Sequence, residues 1–277
     1  MEAVEGHIQQ YFGKFGHVFH ELSSPDIHVD ICVVPPSQER DYYTLVTMGM
    51  GAHRMNVPEA LAEYKLERAE LAIALPRNWK LKHEDLKNER WYWPIRLLKT
   101  LARLPIASDT WLGFGHTMDN EEDFAENTKL CAAILTPPQG TEDGSEVCTL
   151  PGGEEVNFYQ VLPLYRDELE YKLAHDADAL LDKMNGISFV AEPDRQNAAT
   201  SGTLSDGNLI GNMDDAAWHL ETIREKHLPV DEINAYNHMA IYLRWCMEHD
   251  LMSVEFIERY SEQYQAFLAD IKQADLR

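Results

Sequence analysis

The chain has 277 residues, of which 44% are hydrophobic and 10% aromatic, and its 47 acidic against 24 basic residues give a net charge of −23. This much apolar material supports a packed core and excludes general disorder, which needs low hydrophobicity together with high charge. The charge repels phosphate backbones and anionic lipid, which argues against nucleic acid and membrane as partners. A basic protein would instead be drawn in, fastest at low salt.

The length is above the ~100–200 residues usual for one domain, so one large domain or a domain with an appendage are both allowed. Met1 to Gln10 holds two acidic residues and no apolar run of the kind that leads a secreted chain. No segment approaches the ~20 apolar residues of a membrane span. Cys32, Cys131, Cys148 and Cys246 form no C-x-x-C pair, so reduced thiols in a cytoplasm are the expectation.

In chain order, Ile8, Phe12, Phe15, Phe19 and Leu22 recur at spacings of three and four and predict an amphipathic helix over 4–22. The stretch 27–34 is β-branched and alternating and reads as a strand ended by Pro35-Pro36; 42–47 reads as a second strand. A short helix is expected over 59–66 and a strand over 69–75, closed by Pro76. A helix follows over 89–104, interrupted at Pro94 and ended at Pro105. Residues 110–114 read as extended, and 129–136 as a strand ended by Pro137-Pro138. A strand over 155–162 leads through Pro163 into a long helix over 164–184, because proline suits a helix start. A last short strand is expected at 187–191.

Residues 192–212, rich in Gly, Ser, Asn and Pro, read as a linker or exposed loop. Three helices follow, over 214–226, 234–249 and 253–272, the last with an apolar stripe of Val254, Ile257, Tyr264, Phe267 and Ile271. The expected organisation is an α+β body over 1–190, with a mixed or mainly antiparallel sheet and flanking helices, a linker over 191–212 and a helical module over 213–277. Residues 204–277 hold 6 basic and 14 acidic residues, so the acidity is not confined to one part.

The motifs that could carry chemistry are short. His17-x-x-His20-Glu21, on the predicted helix, puts two histidines near one face, but a metal needs a third ligand and the H-E-x-x-H pattern is absent. Gly49-Met50-Gly51 and Gly113-Phe114-Gly115 resemble fragments of phosphate-binding loops without the following residues that would seat a phosphate, and tight turns explain them better. No G-x-S-x-G elbow is present. Asp30 fits the solvent side of its strand. His116 could be a base or a ligand, and a loop histidine with local hydrogen bonds is the simpler reading. Trp91, Tyr92, Trp93 and Trp111 could anchor an interface, although aromatics also fill cores.

Several blocks in order resemble the suppressor-of-fused domain family in its bacterial form. They are His28-Val29-Asp30-Ile31-Cys32-Val33-Val34-Pro35-Pro36, then Tyr42 to Met50, then Arg68-Ala69-Glu70-Leu71 with Leu75-Pro76 and Trp79. Trp93-Pro94, Leu101 to Pro105, Thr110-Trp111-Leu112-Gly113 and Gly115-His116-Thr117 follow, and the run closes on Val156 to Leu169. The resemblance covers roughly residues 5–190. The helical part is similar to a module that bacterial chains carry beside immunity-type domains, marked by Ala216-Ala217-Trp218-His219 and His238 to Cys246.

The resemblance implies binding, not catalysis, and no cofactor or metal. The animal member of the family is an adaptor that restrains a transcription factor by clamping a short peptide, and the bacterial relatives resemble immunity proteins for secreted toxins. The implied role is a cytoplasmic immunity or antitoxin-like protein whose partner is another protein, a basic toxin domain fitting the charge. A regulatory adaptor and an uncharacterised hydrolase or metal enzyme are the alternatives. Trp111 and His116 are the partner-binding candidates. The animal pattern has an acidic residue before the histidine matched by His116; here that position is Gly115, so the animal clamp does not carry over unchanged.

Overall fold

The computed structural model describes residues 1–200 except Leu22 and Pro25, and beyond them Arg224, Arg244, Ile257, Arg259, Tyr260, Ser261 and Tyr264. Apart from those seven residues, the helices expected over 214–226, 234–249 and 253–272, and Cys246, lie outside the described residues. Two compact units divide the chain, Met1–Asp206 and Gly207–Arg277.

The first unit is built on one mixed sheet of eight strands. These are β1 (His17–Phe19), β2 (Asp30–Val34), β3 (Tyr42–Met48), β4 (Ala69–Pro76), β5 (Thr117–Asp119), β6 (Leu130–Thr136), β7 (Val147–Thr149) and β8 (Glu155–Tyr165). The order is β1-β2-β3-β4-β8-β6-β5, with β7 beside the start of β8. Every pairing is antiparallel except β4 with β8. Among the described residues the α-helices are α1 (Glu2–His7), α2 (Glu89–Ala107), α3 (Arg166–Ala174) and α4 (Ala177–Lys183).

Alternate side chains of the strands enter two layers of core, as the period-2 geometry of a strand requires. On one face Val33, Leu45, Leu71, Ile73, Tyr159 and Val161 meet α2 through Trp93, Leu97, Leu98 and Leu101. On the other, Cys32, Val46, Ala72 and Phe158 meet Val4, Ile8 and Phe12 at one end. At the far end Ile134, Leu162 and Leu164 meet Leu169 of α3, Leu180 of α4 and Met184 just after it. A sheet covered on both faces explains why β2, β4 and β6 are apolar without alternation, their residues buried almost throughout.

Prolines and glycines account for most departures from the sequence expectations. The helix expected over 4–22 stops early: α1 passes into one wider turn over Ile8–Phe12, and Gly13, with φ 112°, ends it. His17–Phe19 then extends beside β2, so Phe15 and Phe19 are not part of a helical stripe. Pro94 and Pro105 do not bound α2, whose start is capped by the Asn88 side chain on the Arg90 N–H. Residues 110–114 join no strand, and the extended segment is β5 just beyond them.

Pro163 lies inside β8, and the predicted helix 164–184 is two helices broken at His175. β8 pairs with β4 only up to Gln160, so the missing proline N–H falls where that side of β8 has no strand partner. Segment 190–198 takes up that interval. Val190 bridges Ala74, the Ala191 N–H donates to the Ala74 carbonyl at 2.8 Å, and Arg195 donates to the Pro163 carbonyl at 2.7 Å. Residues 191–198, which composition assigns to a linker, are therefore fixed to the body.

Candidate functional site

The loop from Trp111 to His116 turns out of α2 and delivers the chain to β5, the last strand of the sheet. The Gly115 N–H donates to the Leu135 carbonyl at 2.8 Å, and the Leu135 N–H donates to the His116 carbonyl at 3.0 Å, which fixes the loop to β6. A Cβ on Gly113 would stand 2.4 Å from the Trp111 ring, so only glycine lets that indole fold back over the loop. The Trp111 and His116 rings meet edge to face at 4.3 Å. The fold thus brings the two candidate residues into one partly exposed corner, with Phe114, 47% exposed, beside them. Burial holds His116 below the ordinary imidazole value; its bond to the Trp111 backbone opposes this and Lys172 reinforces it.

Gly115 has φ 75°, and a Cβ there would lie 2.9 Å from the Ala177 Cβ. The start of α4 thus fills the space that an acidic side chain at this position would need. Carboxylates gather instead at the other end of β5, where a cavity of about 520 Å³ is lined by Glu121, Glu122, Asp123 and Asp167 with Lys129 and Arg166. Arg166 grips Asp119 through two bonds of 2.6 and 2.8 Å, fixing the end of β5 to α3. Among the described residues no strand pairs with the outer edge of β5. Such an edge presents unpaired N–H and C=O groups to any extended segment.

The other sequence candidates are engaged within the fold. Gly49-Met50-Gly51 does gather N–H groups as an anion loop does, but the anion is the protein's own Glu70, 1% exposed. Its carboxylate accepts from the Gly49 and Gly51 N–H groups at 2.8 and 3.0 Å and from the Thr47 hydroxyl at 2.6 Å. Burial pushes the Glu70 carboxyl up, and those donors act in the opposite sense.

His17 and His20 are on no shared helix face: His17 belongs to β1 and packs on Phe19, while His20 bonds Asp30 at 2.9 Å. Asp30 is not a solvent-side residue. It is 6% exposed and also accepts from the Glu21 N–H and from His28. Burial opposes its charge, but the Glu21 N–H and the two histidines hold its carboxyl below the ordinary range. His28, and Arg103 on Glu21 at 2.6 Å, complete a network that sequence reading missed. Its one sequence signal is an acid at the start of an otherwise apolar strand. Cys32, Cys131 and Cys148 are buried free thiols; burial pushes Cys32 to about 12, which makes it inert. Trp93 is core, stacked on Phe124.

The fold defines a helix–sheet–helix α+β domain with a mixed sheet, which among the described residues ends in an antiparallel edge strand on each side, β1 and β5. The suppressor of fused protein family matches residues 25–196, and the chain belongs to that family. Residues 212–277 match a domain of unknown function, DUF7832. A suppressor-of-fused homolog from Neisseria gonorrhoeae has a similar fold, with TM-score 0.52 at 16% identity over 71% of this chain and 95% of that one. So has a chain of the Sufu–Fu complex, with TM-score 0.50 at 16% identity over 71% and 91%. No curated protein sequence matches the chain. Among the described residues no helix is long and apolar enough to cross a membrane.

Proposed function

We propose that this chain is a non-catalytic protein-binding member of its family, an immunity-type protein that neutralises a basic toxin domain in the bacterial cytoplasm. The contact face is the β5 end of the sheet. The observation that carries this reading is the open edge of β5, set between the Trp111–His116 corner and the carboxylates of Glu121, Glu122 and Asp123. An extended partner segment would add to the edge, set an apolar side chain against Trp111 and Phe114, and place a basic side chain among the acids. The net charge of −23 favours fast capture of a basic partner. The Sufu–Fu complex is a case of a protein partner on the same fold.

Co-expression with the product of the neighbouring gene, followed by pull-down and a growth-protection assay, tests the role. A stable complex with protection is the expected result. No complex and no protection would sink the toxin reading, and a complex with an endogenous protein would favour an adaptor. Trp111→Ala and His116→Ala should each weaken the complex by about tenfold or more, the scale of a central interface residue.

A further inference from the structure

A second feature lies at the opposite edge of the sheet and has the opposite electrical character. α2 covers the middle of its face but leaves the corner of β1, β2 and β3 open. There a groove of about 820 Å³ runs between Gly16-His17 and the loop 79–85. Its floor is apolar, made by Val33, Pro35, Tyr43 and Leu81. Its rim carries Lys80, Lys82 and His83, all exposed, beside Asp85 and Glu84, the latter held by Lys87. Residues 77–90 hold five basic residues (Arg77, Lys80, Lys82, Lys87, Arg90) against three acidic ones (Glu84, Asp85, Glu89), a local excess of positive charge in a chain of −23. Lys87 is held by Glu84 at 2.7 Å and Arg77 by Asp41 at 2.5 Å. Among the described residues Lys80 and Lys82 form no ion pair, and Lys80 rests over the Trp91 ring with its ammonium 5.3 Å from the centroid. Among the described residues β1 has no strand on its outer side.

We propose that this groove binds an extended acidic polypeptide segment carrying one bulky apolar side chain. The apolar side chain fills the floor between Val33, Tyr43 and Leu81, and its acidic neighbours meet Lys80 and Lys82. An open trough beside a free strand edge suits a polypeptide running through it, whereas a small ligand needs enclosure on most sides. A nucleic acid carries a charge on every nucleotide and would run on into the negative charge of the rest of the chain, whereas a short peptide segment can set one or two carboxylates at Lys80 and Lys82 alone. The site is independent of the β5 face, and its failure would leave the proposed immunity role untouched.

The test is selection of random short peptides displayed on phage by the full chain, in parallel with the Lys80→Glu/Lys82→Glu variant. Both lysines are exposed, so the variant should fold, and circular dichroism checks that it has. The expected result is enrichment of peptides with an apolar residue flanked by Asp or Glu on the parent chain and no such enrichment on the variant. A selected peptide, labelled for fluorescence anisotropy, should lose about tenfold or more in affinity to the variant and keep its affinity for His116→Ala. Enrichment of peptides without acidic residues, equal enrichment on both proteins, or no enrichment would overturn the proposal. So would displacement of the peptide by oligo-dT at comparable concentration, which would mark a general polyanion surface.

Discussion

Glu70 and Glu168 are two carboxylates sealed inside the same body and satisfied in different ways. Among the described residues Glu70 meets no cation: its partners are a hydroxyl and the N–H groups of a glycine loop. Glu168, 0% exposed, is locked to Arg195, 6% exposed at its side chain, through bonds of 2.7 and 2.5 Å. It also accepts from the Tyr165 N–H at 2.9 Å and the Ala198 N–H at 2.8 Å. Glu70 closes a local turn, so its contacts are near in space to one hairpin. Glu168 ties the start of α3 to a segment thirty residues on, a connection with the topology of a clasp. Each takes up a stretch that the sequence offers for something else, a phosphate loop in one case and a linker in the other.

The clasp should be the costlier to break. Arg195→Ala leaves Glu168 buried and unpaired and should destabilise the body by about 3–5 kcal/mol in denaturant unfolding. Glu168→Leu/Arg195→Met removes both charges and should cost less than either single loss, because no buried charge is left alone. A double variant as unstable as Arg195→Ala would show that the packing of 190–198, not the pairing, is what matters. Glu70→Gln keeps the shape and can leave its amide oxygen on the Gly49 and Gly51 N–H groups, but its NH2 then faces the Thr47 hydroxyl, which loses its acceptor, so a loss of about 1–3 kcal/mol is expected. If Glu70→Gln proves worse than Arg195→Ala, hydrogen bonds from backbone outweigh the ion pair and the comparison reverses. Below both lies Gly115→Ala, where positive φ and the Ala177 contact together predict a loss of about 1–2 kcal/mol with the α4 start displaced.

The strongest sequence signals were the apolar strands. β2, β3, β4 and β6 are legible because both faces of the sheet are covered, so each is a mostly apolar run, interrupted only at Asp30, Thr44, Thr47, Glu70 and Thr136, with proline or glycine at its end. The short strands β1, β5 and β7 are not, since three residues hold no period and exist only by pairing with longer neighbours. The 4–22 stripe misled because Phe12 and Phe19 enter different cores from different elements, which gives helical spacing without a helix. Trp111 and His116 were legible as candidates, but their contact comes from Gly113, whose role needs the folded loop. Residues 191–198 fall in the stretch 191–212 that composition assigns to a linker because a clasp made by one arginine leaves no hydrophobic pattern.

Acid should test the same interior from another side, with the smallest effect. His7 and His116 are both held below the ordinary value of 6.5, His7 chiefly by burial against Phe158 although the Ser145 carbonyl and Glu146 favour its charge. A histidine whose folded value is depressed binds its proton more readily in the unfolded chain. Its contribution is intact above pH 6.5 and is lost as pH falls through that value toward the folded one. Glu70 works in the reverse direction, because a carboxyl raised above 4.5 keeps its proton better in the folded chain, so folding gains relative stability toward low pH. The melting temperature of the body should therefore decline gently below pH 6.5, and more steeply in Glu70→Gln, which lacks the opposing carboxyl. His7→Gln should flatten that decline. A melting profile equally steep in all three proteins would show that other groups set the acid response.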